Sequence, residues 1–175
     1  MNGHEKTISA ATAGARAFVY HHVVTFEETN LVGNVYYAKH ISWQGRCREM
    51  FLRAHAPGVL KALASDLRLV TLRVACDYFD ELFAFDEVDL HMRLTHQEQH
   101  RIGLDFEYWV HRQGKPRLAA RGFQETGCLR ESPTGVSPTM PPAELMHALH
   151  PYRIAATQPA AVAAGAPRAA AVHTA

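Results

Sequence analysis

Residues 26–37 read Phe-Glu-Glu-Thr-Asn-Leu-Val-Gly-Asn-Val-Tyr-Tyr, and an amphipathic run continues from them to Leu52. The stretch is a polar loop, containing Gly33, that leads directly into the start of a helix. Because the first amides of a helix have no intrahelical acceptor, such a start can bind developing negative charge. We therefore expect the chemistry of this chain to lie here.

Outside this stretch the hydrophobic pattern mostly has a period of two residues, which is typical of half-buried antiparallel strands. The predicted elements are, in chain order, a strand over 17–26, the long helix, strands over 70–78, 88–94, 102–110 and 118–129, a loop over 133–142 and a short helix over 143–149. The only long helix has to cover the apolar face of the sheet. The order predicts an α+β fold in which an antiparallel sheet wraps around one long central helix.

Composition narrows the class of function. The length of 175 residues allows one well-buried domain, and a net charge of +1 without Lys/Arg blocks predicts no nucleic-acid or membrane partner. Three cysteines without Cys-x-x-Cys spacing indicate neither disulfides nor zinc, and the histidines lack a metal-ligand spacing. The opening residues lack the apolar core of a signal peptide. We expect a soluble cytoplasmic protein that needs no metal and no cofactor.

The two ends differ in composition from the middle. Residues 1–15 are small and polar, and residues 151–175 form an alanine-rich tail that is broken by Pro159, Gly165 and Pro167. Neither end has an apolar stripe that could dock on a core. We therefore predict a flexible segment over 1–15, a folded domain over 16–150 and a disordered tail over 151–175.

One arginine lies on the apolar side of the predicted helix. Placing residues at 100° intervals gives a broad apolar side that includes Tyr37, His40, Ile41, Trp43, Gln44, Cys47, Met50, Phe51, Leu52 and Ala54. Arg48 falls between Tyr37 and Ile41 on that side, whereas Arg46 and Arg53 point to solvent. A guanidinium there needs a partner. By pattern alone Arg48 reads equally well as a functional residue or as an arginine whose head reaches water.

Two motifs resemble a known family. Residues 26–37 and the run Trp-Gln-Gly-Arg-Cys-Arg-Glu-Met-Phe-Leu over 43–52 look like the first strand, loop and central helix of hot-dog-fold acyl thioesterases. The 4-hydroxybenzoyl-CoA thioesterase branch is the nearer one, and within it the thioesterases of enediyne polyketide pathways. The resemblance covers roughly residues 17–130. It implies a homodimer with a continuous sheet and sites at the subunit interface, doubled to a dimer of dimers.

The resemblance also exposes a departure at Asn30, where the broader family has an aspartate that acts as nucleophile or general base. An amide cannot take a proton at neutral pH or form an acyl-enzyme, so Asn30 can only orient a water or donate a hydrogen bond. The helical glutamate of another branch has no replacement, because Glu49 falls on the polar side. Three other carboxylates could supply a base, although nothing in the sequence places them beside Asn30: Glu28, Asp77 and Asp80.

Resemblance to the enediyne group implies that Asn30 and Arg48 are the catalytic pair. Both this resemblance and the helix start predict the backbone N–H of Tyr37 as the oxyanion hole. The residues expected to contact substrate are Gly33, Asn34, Val35, Tyr36, His40 and Gln44. His40 replaces a tyrosine that is usual in the enediyne group, so it either contacts substrate or packs. By pattern alone Asn30 reads as a turn residue and Gly33 as a loop glycine with positive φ.

For function, the resemblance implies hydrolysis of a (β-keto)polyene acyl chain from the acyl carrier domain of an iterative enediyne polyketide synthase. The β-keto acid released can lose carbon dioxide to give a methyl ketone. Two alternatives stay open. The chain is a general acyl-CoA thioesterase, or it has lost catalysis with its aspartate and binds an acyl chain or a synthase as an accessory protein.

Overall fold

The computed structural model describes residues 15–154. Its strands are β1 (Phe18–Val23), β2 (Leu67–Tyr78), β3 (Glu87–Glu98), β4 (Arg101–Arg112), β5 (Lys115–Ser132) and β6 (Gly135–Pro138). Its helices are α1 (Tyr37–His55), α2 (Pro57–Leu63) and α3 (Ala143–Leu149), with short 3₁₀ turns at Phe26–Glu28 and His150–Tyr152. No helix within these residues is both long and apolar enough to cross a bilayer.

The strands form one curled antiparallel sheet in the order β1-β3-β4-β5-β2, and β6 pairs with β5. Alternate residues of the central strands face α1, which is why a period of two residues was visible in the sequence. The buried residues of α1 all belong to the predicted apolar side: His40, Trp43, Gln44, Cys47, Phe51 and Leu52. The predicted α+β architecture, a sheet wrapped around one long helix, is confirmed.

The structure differs from the sequence prediction in two short elements. The predicted loop over 133–142 contains β6, which turns back onto β5 through Gly135 at a φ of +127°. All four β6 residues are exposed, so they carry no burial period for sequence reasoning to detect. Helix α2 was not anticipated either, although Pro57 stands in its first turn, where proline is favoured.

The packed structure also continues past residue 150. Tyr152 is buried, with its ring 5.7 Å from that of Phe51, and the Ile154 N–H donates to the Leu94 carbonyl over 2.9 Å. The aromatic ring of Tyr152 gives this segment a docking point that its neighbours lack. The flexible segment and the tail that we predict fall, over residues 1–14 and 155–175, outside the described residues.

Candidate active site

The loop before α1 is shaped by Asn30. Its Oδ1 accepts the Val32 N–H over 2.9 Å, and its Nδ2 donates to Oδ1 of Asn34. The backbone closes the same turn, because the Asn30 N–H donates to the Asn34 carbonyl and the Gly33 N–H to the Asn30 carbonyl. Gly33 has a φ of +92°, which favours glycine. Asn30 keeps one side-chain N–H and one carbonyl lone pair for a further partner.

The loop is hydrogen-bonded to residues 81–83 and leads directly into α1. Asn34 Nδ2 donates to Glu81 over 2.8 Å, and the Val35 N–H donates to the Leu82 carbonyl over 2.7 Å. Tyr36 is the extended N-cap of α1 and provides no side-chain cap. Within residues 15–154 the amides of Tyr37 and Ala38 consequently have no acceptor. This helix start therefore offers two N–H groups without an acceptor, which is the arrangement that the predicted oxyanion hole requires.

Glu28 holds this entry in place and is not available as a base. It is 2% exposed and accepts hydrogen bonds from Trp43 Nε1 over 2.7 Å and from the Thr25 N–H over 3.0 Å. His22 Nε2 lies 2.9 Å from its second oxygen. Burial alone would raise the pKa of Glu28, but these hydrogen bonds lower it to about 2. Glu28 therefore joins β1, the loop and α1 as a carboxylate that is ionised at neutral pH.

A pocket of about 180 Å³ opens at the start of α1. It is lined by Asn34, Val35, Tyr37, His40, Tyr78, Asp80, Glu81 and Leu82. The Tyr78 hydroxyl donates to the Tyr37 carbonyl over 3.0 Å and so joins the end of β2 to the first turn of α1. Of the residues expected to contact substrate, the structure places Asn34, Val35 and His40 in the pocket.

The other three residues expected to contact substrate lie outside the lining of this pocket. Gly33 is at the exposed loop tip, and the side chain of Tyr36 is half-exposed beside the ring of Tyr37. Gln44 is fully buried and donates to the Ala75 carbonyl over 3.0 Å. It fills the space over Gly122, where a Cβ would come within 2.2 Å of its Nε2. The structure therefore buries Gln44 in the core, outside this pocket, with Oε1 lacking a hydrogen-bond partner among the described residues.

The Arg48 guanidinium donates hydrogen bonds to two polar side chains of β5. Its Nη1 donates to Gln124 Oε1 over 2.9 Å and to Thr126 Oγ1 over 3.3 Å, and burial lowers the pKa of the guanidinium. Sequence reasoning missed both partners. Their signal was present, since Gln124 and Thr126 are polar residues two apart at inward positions of a predicted strand. Arg48 also borders a small apolar cavity lined in part by Phe51, Leu52, Met92, Leu104, Leu145 and Leu149.

Asn30 and Arg48 do not meet within one protomer. Arg48 is eleven residues after Tyr37, which corresponds to ~16 Å along the axis of α1. The Asn30 side chain bonds within its own loop, and the Arg48 side chain is held on β5. In a single chain the two residues of the predicted catalytic pair therefore lie in separate places.

Other chemistries find little support around the pocket. Asp80 lies in its wall, but Oδ2 faces Arg112 and Arg117 at 3.6 and 3.3 Å. Burial raises the pKa of the Cys47 thiol to about 12 and those of Cys76 and Cys128 to about 11, so none is an activated nucleophile. Residues 15–154 contain no group of three or more His, Cys, Asp or Glu side chains that could hold a metal.

Solved structures with this fold include several thioesterases. The dynemicin thioesterase, whose crystal structures reveal induced-fit and allosteric effects upon polyene binding, is 48% identical with a TM-score of 0.77, over 80% of this chain and 99% of its own. A 1,4-dihydroxy-2-naphthoyl-CoA thioesterase from Synechocystis is 19% identical with a TM-score of 0.65, over 77% and 96%. A 4-hydroxybenzoyl-CoA thioesterase from Pseudomonas is 12% identical with a TM-score of 0.66, over 77% and 99%. The last two show the fold alone.

The sequence comparisons address the family directly. A search of curated proteins gave no match. The sequence profile of the thioesterase-like superfamily matches residues 24–149, which include the loop, α1 and strands β2 to β6. With this match, the free amides at the start of α1 and the curled sheet around that helix, the chain belongs to the thioesterase-like superfamily, as a thioester hydrolase with the hot-dog fold.

Proposed function

We propose that the protein hydrolyses a (β-keto)polyene acyl thioester held on the acyl carrier domain of an iterative enediyne polyketide synthase. The observation that carries this proposal is the 48% identity to the dynemicin thioesterase over 99% of that chain. The product is a β-keto acid, which loses carbon dioxide readily to give a methyl ketone. The three free cysteines fit a reducing compartment, and we place the activity in the cytoplasm.

In the proposed mechanism the thioester carbonyl binds at the amides of Tyr37 and Ala38. Water adds to the carbonyl carbon, and the negative charge that develops on oxygen is stabilised by these two N–H groups. The tetrahedral intermediate then collapses with cleavage of the C–S bond, and the proton lost by the water passes to the carrier thiolate, which leaves as the thiol. One such donor contributes about 3 kcal/mol to the transition state. Asn30 orients the water through its remaining N–H or lone pair. No carboxylate base is required, because the β-keto group already activates the neighbouring carbonyl.

Arg48 completes the site from a second protomer in this proposal. The ~16 Å between Tyr37 and Arg48 along α1 keeps the two apart in one chain, whereas an antiparallel arrangement of two α1 helices can bring them together. We propose that the acyl chain continues toward the small apolar cavity beside Arg48. Its lining of leucine, methionine and phenylalanine suits a polyene.

The free edge of the sheet supports a homodimer. Among the described residues strand β2 pairs with β5 on one side only, so the outward-pointing backbone groups along this twelve-residue strand are available for a second copy. Leu72 and Val74 on this strand are exposed. We propose that two β2 strands join the sheets of two protomers, and that two such dimers associate.

The test is an assay of the purified protein with a β-ketoacyl carrier-protein thioester, followed by mass spectrometry of the acyl-carrier species. We expect loss of the acyl chain well above the uncatalysed rate, and faster turnover of the carrier-bound than of the CoA-bound form. The Asn30→Ala, Arg48→Ala double variant serves as the control. No acceleration by the wild type would instead identify an accessory binding protein, and a preference for CoA would identify a general acyl-CoA thioesterase.

A further inference from the structure

His40 is a buried polar side chain without a side-chain partner for its ring nitrogens. It is 3% exposed, and within the described residues neither ring nitrogen makes a hydrogen bond of regular geometry, the Tyr37 backbone being the polar group that interacts with the ring. Its ring packs 5.0 Å from the rings of Trp43 and Tyr78 and 5.5 Å from that of Tyr108, measured between centroids. Buried polar atoms are nearly always bonded, so an unpaired imidazole requires an explanation.

The place of His40 in α1 points to a ligand. It lies three residues after Tyr37, one turn or ~4.5 Å further along the helix, on the same face. Helical side chains lean toward the N-terminus, so the imidazole returns toward the free amides of the first turn. His40 and Tyr37 line the same pocket. His40 therefore belongs to the inner wall of the proposed site.

The surroundings keep the imidazole neutral. Burial lowers the pKa of His40 to about 4, against an opposing contribution from the Tyr37 backbone. The hydroxyls of Tyr78 and Tyr108 point to the carbonyls of Tyr37 and His40, respectively, and Trp43 bonds Glu28, so these neighbours offer the ring no charge. The carboxylates of the pocket are Asp80 and Glu81, which engage Arg112, Arg117 and Asn34. A neutral imidazole carries one N–H donor and one acceptor.

Resting on the proposed function, we propose that His40 donates a hydrogen bond to the β-keto oxygen of the substrate and so selects β-ketoacyl over simple acyl thioesters. With the thioester carbonyl at Tyr37 and Ala38, the keto carbon is two bonds further along the acyl chain. The next polar side chain along this face of α1 is His40. One turn deeper, the amide nitrogen of Gln44 already donates to Ala75.

The experiment compares two substrates on each enzyme preparation: 3-oxododecanoyl-CoA and dodecanoyl-CoA. In His40→Phe, which keeps a ring but removes both nitrogens, kcat/KM for the β-keto substrate should fall about tenfold while that for dodecanoyl-CoA changes less than about twofold. His40→Tyr, which restores a donor, should recover most of the ratio. His55→Phe is the matched control, since it removes an imidazole from the far end of α1, where His55 packs on Phe51 and Tyr152.

Both rates are measured on the same enzyme sample. If a variant is only partly folded, both rates fall by the same factor and their ratio is unchanged. His40→Leu provides a second nitrogen-free variant if His40→Phe is insoluble. Equal losses on both substrates would overturn the role of His40 and leave the thioesterase proposal intact. Wild-type protein that hydrolyses both substrates without preferring the β-keto one would also overturn the role of His40 and leave the thioesterase proposal intact. A wild type inactive on both, and also on the carrier-bound thioester, would overturn the proposed function and this inference together.

Discussion

The turn role of Asn30 is compatible with its proposed catalytic role, although the sequence presented the two as alternatives. Its Oδ1 caps the turn by accepting the Val32 N–H, and its Nδ2 binds Asn34, so the turn interpretation is confirmed. The second N–H and the second lone pair are not used by the loop. The turn therefore leaves Asn30 the two groups that its proposed role toward a substrate or a water requires, at no cost to the hydrogen bonds that hold the loop.

We predict that Asn30→Asp does not restore the chemistry of the wider family. The carboxylate loses the N–H that binds Asn34 Oδ1 and repels that oxygen, so the loop opens. Turnover of the β-ketoacyl carrier thioester should fall at least about tenfold, as it should in Asn30→Ala, while the oligomer survives. Thr29→Val, which removes the neighbouring side-chain bond to the Phe26 carbonyl, is the control. Wild-type turnover in Asn30→Asp would show that a carboxylate works in this loop.

His40 should make stability depend on pH. Its pKa is about 4 in the folded protein and 6.5 as the unperturbed value, so the unfolded chain binds the proton first as pH falls. The native state should therefore lose up to about 3 kcal/mol between pH 6.5 and pH 4 through this residue. Urea unfolding of wild type and His40→Phe at pH 7.5, 5.5 and 4.5 measures the effect. The free energy of unfolding of the wild type, relative to that of His40→Phe, should fall with falling pH, and a constant difference would contradict the shift.

At the scale of elements, Glu28 decides where α1 begins. Through Thr25, His22 and Trp43 it connects the end of β1, the 3₁₀ turn and the second turn of α1. The Glu28 carbonyl also accepts the Tyr36 N–H over 2.9 Å. The free amides at the start of α1 thus depend on one buried carboxylate that takes no part in catalysis.

Glu28→Gln should destabilise the fold by about 2 kcal/mol at pH 7, because the amide replaces a carboxylate that accepts charge-assisted bonds. The folded pKa of about 2 lies below the ordinary 4.5, so the contribution is present above pH 4.5 and is lost as pH falls toward 2. Urea midpoints of the two proteins should converge at low pH. Glu27→Gln, an exposed neighbour with the same change in charge, should show no such effect.

Sequence patterns predicted the elements in which buried and exposed residues alternate regularly along the chain. They missed the elements without such a pattern. The central strands and α1 alternate apolar with polar residues because one face of each is buried. Strand β6 is fully exposed, and α2 is seven residues long, so neither has a pattern to detect. Contacts between distant residues are not encoded locally. The link from Glu28 to Trp43 and that from Arg48 to Gln124 come from the way the sheet curls around α1.

At the scale of the whole molecule, the protomer leaves apolar surface around the proposed site. Exposed side chains cluster on the loop and on the segment that it contacts: Phe26, Leu31, Val32, Phe79, Phe83 and Phe85. Phe26 and Phe85 pack edge to face, with ring centroids 5.0 Å apart. Together with Leu72 and Val74 on the free edge of β2, this surface favours a partner chain over solvent.

If a second copy supplies Arg48, two inactive variants should restore each other. In a mixed dimer of Asn30→Ala with Arg48→Ala, one site carries both substitutions and the other combines an intact Asn30 with an intact Arg48. Equal mixing with random exchange gives mixed pairs in half of the dimers, so about a quarter of the wild-type turnover should return. Subunits would be exchanged by unfolding and refolding the mixture, and hydrolysis followed by mass spectrometry. Asn30→Ala mixed with the Asn30→Ala, Arg48→Ala double variant is the control, since no pairing in it creates an intact site. If the first mixture is no more active than this control, Asn30 and Arg48 serve separate sites, and each chain works without its partner's arginine.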